Sequence, residues 1–340
     1  MHDPVVFQIG QLRTATLLLL HPPFAASAEH DTFLTDPLLR FRRVGMYAYS
    51  ATYGTVQDAQ KLSHMVRMRH SQIKGIEPIT RRPYQSNSEY ELALTHVIQA
   101  SSYLAIYETV HGRLTEAQRD QYYQEQKIPS AMLGVNPAHV PSSHKEAEEF
   151  LSLARKRFAV GSRGRELLAY YDNRPYEPGT AFGDLPFIRR KLTLLASRAL
   201  VDMAIATLDE SDKLILSINR RPKLRWKWAV RGSLKLTSWF MRSKRGQKLW
   251  EFYLQKRAFN IYREAMRLED QPGKSSREAN YVVPNANLVF HQLPDLKRNW
   301  PGDVEHYALG REVEGNIQLT NQPTKKLRNP RKSLQEVIAS

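Results

Sequence analysis

The sequence predicts an all-α protein, one large helical domain followed by an extended, irregular C-terminal tail. Three observations lead there. Long runs carry apolar residues at helical spacing, with little glycine or proline inside them. Ser, Thr or Asp opens several of the runs, and glycine closes several. Strand-like alternation is hard to find. From Gln271 onward the composition turns to Pro, Asn, Lys and Ser, with no helical period until Leu334. The domain is therefore expected over 1–270 and the tail, extended or partly disordered, over 271–340.

Each element has a local reason. Val5 to Leu20 is an apolar run stopped by Pro22 and Pro23. Asp36 precedes Pro37, a cap followed by proline at the first helical position, and opens a helix to about Tyr53. Gly54 ends it. Thr55 can cap a helix from Val56 to about Lys74, closed by Gly75. Ile76 to Tyr84 reads as a loop. Ser86 or Ser88 starts a long helix to about His111, with Gly112 as its stop. Thr115 and Gln118 form a capping-box pattern. Pro129, Pro137 and Pro141 punctuate a turn-rich stretch, and Ser143 opens a helix to about Phe158. Asn173 to Asp184 is a loop. Phe187 to Leu208, Lys213 to about Asn219, and two further runs to about Leu268 complete the helices.

Composition excludes several functions. The 340 residues contain no cysteine, so disulfides, thiolate metal sites and thiol nucleophiles are ruled out. No apolar run is long enough to cross a bilayer, which needs roughly 20 residues. Arg13 ahead of Thr14–Leu20, with Ala26-Ser27-Ala28 beyond, has the order of a secretion signal. His21-Pro22-Pro23 interrupts it, so the expectation is a buried helix and a cytoplasmic protein, with peripheral membrane contact open.

The net charge of +16 is concentrated. Between Arg220 and Arg263 stand fourteen basic residues against Glu251 alone, which is +13 of the total. Trp226, Trp228, Trp239 and Trp250, four of the five tryptophans, fall in the same stretch. Basic residues beside indoles suit an anionic membrane surface. An ordinary helix pair with a wet basic face explains them equally well. Nucleic acid ranks third, because no nucleic-acid motif is recognisable.

Without cysteine, chemistry must come from histidine, carboxylates and arginine. No zinc-protease, phosphate-loop, dinucleotide or nucleophile-elbow motif is present. His70 shares a helix face with Leu62, Val66 and Ile73, either as a core histidine bonded to a carbonyl or as a metal or haem ligand. His96 shares a face with Leu92, Ala100 and Tyr103, with the same two readings. His21 reads as a cap at a helix C-terminus. Arg40, Arg43, Val44 and Tyr47 fall on one face, either a solvated basic side or a site for a carboxylate such as a propionate.

Several short motifs occur in a telling order. They are Leu17-Leu18-Leu19-Leu20-His21-Pro22, Glu29-His30-Asp31-Thr32-Phe33, Asp36 to Val44, Tyr53-Gly54-Thr55, Arg69 to Gly75, Arg82-Pro83-Tyr84, Leu94-Thr95-His96 and Leu133-Gly134-Val135-Asn136-Pro137. Over about residues 12–150 this order resembles the MpaB-type and rubber-oxygenase (latex-clearing-protein-like) catalytic domain. The likeness weakens through 185–240. The resemblance implies an all-α fold, haem b, and dioxygen chemistry on a hydrophobic substrate, unsaturated ones included. It puts His70 at the proximal iron ligand and Arg40 at an arginine near the haem. Val44 stands where the pattern has threonine, which removes a hydroxyl. Arg43 stands where the rubber-oxygenase branch has a lysine able to cap the iron, and arginine cannot ligate. His96 matches a family histidine, distal or structural. Beside this oxygenase reading stands a non-catalytic, membrane-surface or lipid-binding protein of the same fold.

Overall fold

Pro4–Leu18 (α1) is the helix around which the others gather. Asp3 caps it, accepting from the Val5 amide at 2.9 Å, and Pro4 stands where no intrahelical donor is needed. Twelve of its fifteen residues are buried. A helix apolar nearly all round has to be central, and the expectation of a buried first helix holds. Arg13, in its middle, donates to the Ser102 hydroxyl at 2.9 Å. Burial lowers the Arg13 pKa, and Asp209 and Asp212 offset part of that.

The computed structural model describes residues 3–28, 37–54, 56–172, 183–216 and 227–269, all within one compact unit, Met1–Gly302. Among them are thirteen α-helices and one two-stranded hairpin, so the all-α expectation is met. The tail expected over 271–340 lies outside the described residues. After α1 come Pro22–Ser27 (α2), Pro37–Tyr53 (α3), Val56–Ser71 (α4), the antiparallel strands Lys74–Ile76 (β1) and Pro83–Gln85 (β2), and Glu89–His111 (α5). Glu116–Met132 (α6), His144–Arg155 (α7), Ser162–Asp172 (α8), Phe187–Ala206 (α9) and Glu210–Ile215 (α10) follow. Lys227–Arg242 (α11), Lys244–Leu254 (α12) and Lys256–Glu269 (α13) close the order. None of the described helices is long and apolar enough to cross a membrane.

Two apolar clusters meet along α1. Its first half joins Ala48 and Tyr49 of α3, Tyr103 and Ile106 of α5, and Leu234, Trp250, Leu254 and Tyr262 from α11–α13. Its second half joins Leu94, Ile98, Leu167, Val201 and Ile205. Close approach of α1 and α5 requires glycine at position 10, where a Cβ would lie 2.4 Å from the Tyr103 ring. The basic tryptophan section is therefore also core. Trp250 is fully buried, whereas Trp239 is 70% exposed; Trp226 lies outside the described residues.

Several boundaries differ from expectation, each for a local reason. Pro22 and Pro23 stop α1 but also start α2, because proline fits the first helical turn. α4 ends at Ser71 rather than near Lys74, and part of the expected loop pairs as β1 and β2. Glu77 holds the connection. It is buried, and its carboxylate accepts from the Ile79 and Thr80 amides and the Thr80 hydroxyl. Burial pushes its carboxyl up, but those donors prevail and the net shift is downward. α6 runs through Pro129 instead of stopping. Phe158 lies beyond α7, and α8 was not foreseen. Three helices, not two, occupy the basic section.

Candidate active site on the α3–α4 hairpin

α3 and α4 pack against each other across the short connection at Gly54, as an antiparallel helical hairpin. One contact between them involves a phenol and a hydroxyl. The buried Tyr47 phenol and the buried Ser63 hydroxyl are neighbours, close enough for Ser63 to ease the phenol's pKa downward, though not in good hydrogen-bond geometry. Burial dominates and raises that pKa well above its ordinary value, so the phenol keeps its proton at neutral pH.

On the same side of α3 as Tyr47 lie Arg40, Val44 and Ala51, and on the same side of α4 as Ser63 lie Ala59, Val66 and His70, each set with the i, i+4, i+7, i+11 spacing of one helix side. Burial agrees: Ala51, Ala59 and Ser63 are buried, and Arg40, Val44, Val66 and His70 are half-buried. The His70 Nδ1 atom is shielded from solvent. Behind α4, Arg67 lies against Gly134, whose φ of +90° and crowded Cβ position suit glycine.

Of the six candidate residues, Arg40, Val44 and Tyr47 share one side of α3, and His70 lies on its packed neighbour α4. Arg43 lies on the exposed side of α3. His96 lies elsewhere. It is 5% exposed on α5, whose neighbours are α1, α6, α7 and α11, and its Nε2 is 2.8 Å from the Gln126 carbonyl, three residues before Pro129. A carbonyl only accepts, so Nε2 carries the proton and donates. Burial pushes the His96 pKa down to about 4, with the Gln126 bond opposing. Folding therefore excludes a proton that the unfolded chain takes up near pH 6.5. The stabilisation is complete above that value and is lost as the pH falls toward 4, at about 3 kcal/mol in all. Denaturant unfolding across this window checks it. His96→Leu should flatten the pH dependence, and an unchanged slope in the variant contradicts the assignment.

His21 departs from its expected role as a cap. It precedes α2, and its Nε2 lies 2.7 Å from Glu91 of α5, with the Tyr90 and Phe158 rings beside it. Ser63 is the residue the sequence reading passed over. The face through His70 and Val66, extended one further step, would have reached it. Among the described residues, no three His, Asp or Glu side chains gather as a metal-ligand set.

With this geometry in view, residues 1–243 match the catalytic domain described as ER-bound oxygenase mpaB/B′/rubber oxygenase. The chain belongs to that family. The match takes in α1 to α11, further than the motifs between 12 and 150 suggested, and it includes the α3–α4 hairpin. The oxygenase family stops short of α12 and α13, whose Trp250, Leu254 and Tyr262 complete the core. No curated protein and no solved structure matches the chain.

Proposed function

We propose that the protein is a haem b-dependent oxygenase that joins dioxygen to a hydrophobic, unsaturated substrate. The observation that carries the reading is the match of residues 1–243 to an oxygenase catalytic domain, supported by His70 and Arg40 on the packed helices α4 and α3. The residues present suit a haem. A porphyrin brings four nitrogens of its own and asks the chain for one axial donor, which the half-buried His70 imidazole can supply. It also carries two propionates, and the Arg40 guanidinium can pair with one through two parallel hydrogen bonds. When bound, the haem supplies the dioxygen chemistry that no side chain offers.

The chain's own residues do the rest. Val44 and Val66 give an apolar wall that holds water away from the reacting centre. Tyr47, protonated because it is buried, is a hydrogen-bond donor on the same face, beside Ser63. Valine at position 44 leaves that donor role to Tyr47 rather than to a threonine. Arg43, on the exposed side of α3, keeps its positive charge and cannot ligate a metal. His96 supports α6 by its bond to Gln126.

Val44 also favours one second reading, a helical lipid-binding protein that keeps the fold without the chemistry. The two separate on the purified full-length protein. The oxygenase should take up added haem one to one, show a Soret band, and consume dioxygen when an unsaturated fatty-acid ester is supplied. A protein that stays colourless after haem addition contradicts the proposal and leaves the second reading.

A further inference from the structure

α11 is apolar on two sides. Leu234 and Met241 lie in the core. On the opposite side Leu236, Trp239 and Phe240 are 66%, 70% and 41% exposed. Positions 232, 236, 239 and 243 follow one side of the helix, and a Cβ on Gly232 would meet nothing within 4 Å. A solvated helix carries polar residues on such a side. α12 repeats the pattern, with Trp250 and Leu254 buried and Leu249 and Phe252 exposed. Around these apolar side chains stand Arg231, Lys235, Arg242, Lys244, Arg245 and Lys248, all exposed. Glu251 is the one acidic residue between 231 and 252. Arg42 of α3 adds a further cation, stacked 5.4 Å from the Phe252 ring centroid and donating to the Phe252 carbonyl at 2.8 Å.

We infer that the outer side of α11 and α12 docks on the surface of an anionic phospholipid bilayer. Charge complementarity selects this occupant. Six cations, opposed by Glu251 and, at Arg242, by Asp3 at 3.6 Å, ask for a dense negative surface, and the apolar side chains between them ask for hydrocarbon a few ångströms deeper. A bilayer supplies both, with indole and phenyl rings settling at headgroup depth. Nucleic acid would pair with the cations and stack on Trp239, but it offers nothing to Leu236 and Leu249. The docking does not depend on the haem reading, because α12 packs against α3 on a side other than the one counted from Tyr47 to Arg40. It would hold the α3–α4 hairpin beside a reservoir of apolar compounds.

Co-sedimentation of the full-length protein with vesicles tests this. Vesicles of phosphatidylcholine with phosphatidylserine should bind the protein, and phosphatidylcholine alone should not. Binding should fall with added salt. Lys235→Ala/Lys248→Ala should weaken it roughly 25-fold, about five-fold for each charge removed. Trp239→Ser should weaken it too, with its unfolding midpoint unchanged because the side chain is exposed. The inference is overturned by failure to bind the phosphatidylserine vesicles, by equal binding to both vesicle types, or by variants that bind as the parent does. Tighter retention on double-stranded DNA at the same salt would overturn it as well. So would a Trp239→Ser variant that changes the oligomeric state, since the face would then be a protein interface.

Discussion

Trp250→Ala is expected to destabilise the protein by about 4 kcal/mol, close to the upper end for a single core truncation. The indole is fully buried and stands edge-on to three rings, with centroids 5.8 Å from Phe7, 6.1 Å from Phe41 and 6.5 Å from Tyr49. It joins α12 to both α1 and α3. Its removal takes a large apolar surface from the core and leaves a cavity among rings that belong to two other helices, α1 and α3, and relax only in part. Against a total stability of about 5–15 kcal/mol, this is a large fraction. Urea unfolding measures it directly, and Trp239→Ala is the natural companion. That second tryptophan is 70% exposed and should change stability by no more than about 0.5 kcal/mol. Two equal effects would mean that the basic section is not part of the core. The comparison also decides whether the folded domain ends with the family match at 243 or extends through α13.

Much of the architecture could be read from local chemistry. Ser88, Thr115 and Ser143 announce α5, α6 and α7, because each side chain accepts an orphan amide in the first turn. Gly112, at φ +109°, closes α5 for the same kind of local reason. The misses are of a different kind. The β1–β2 hairpin depends on Glu77 collecting amides from Ile79 and Thr80, and no periodicity signals that. Pro129 breaks most helices, but here α6 continues through it. The double role of α11 and α12 was invisible for a general reason. A helix with apolar residues on both sides does not say which side meets the core, and only the packing of Trp250 on Phe7 and Tyr49 separates it from Trp239.

The candidate site was legible in part. Each helix face could be read from spacing, so Arg40, Val44 and Tyr47 fell together and His70 fell with Val66. The neighbouring of Tyr47 and Ser63 could not be read, because it is a tertiary contact between two helices. Resemblance pointed to the same residues from another direction. For His96, spacing gave an apolar face but not the carbonyl of Gln126 thirty residues away, which is what occupies its ring.

His70→Ala is expected to abolish haem binding, and it is the largest functional effect that follows from the proposed function. The side chain lies near the end of α4 and is half-buried, so its loss should leave the unfolding transition nearly unchanged. The most direct measurement is the absorbance spectrum of the full-length protein after haem addition, recorded for the parent, His70→Ala, His70→Gly with free imidazole, and His96→Ala. The proposal predicts a Soret band in the parent and in His96→Ala, its loss in His70→Ala, and its return when imidazole fills the space left in His70→Gly. A band that survives unchanged in His70→Ala, or one that disappears only in His96→Ala, would contradict the assignment of His70 as the axial ligand.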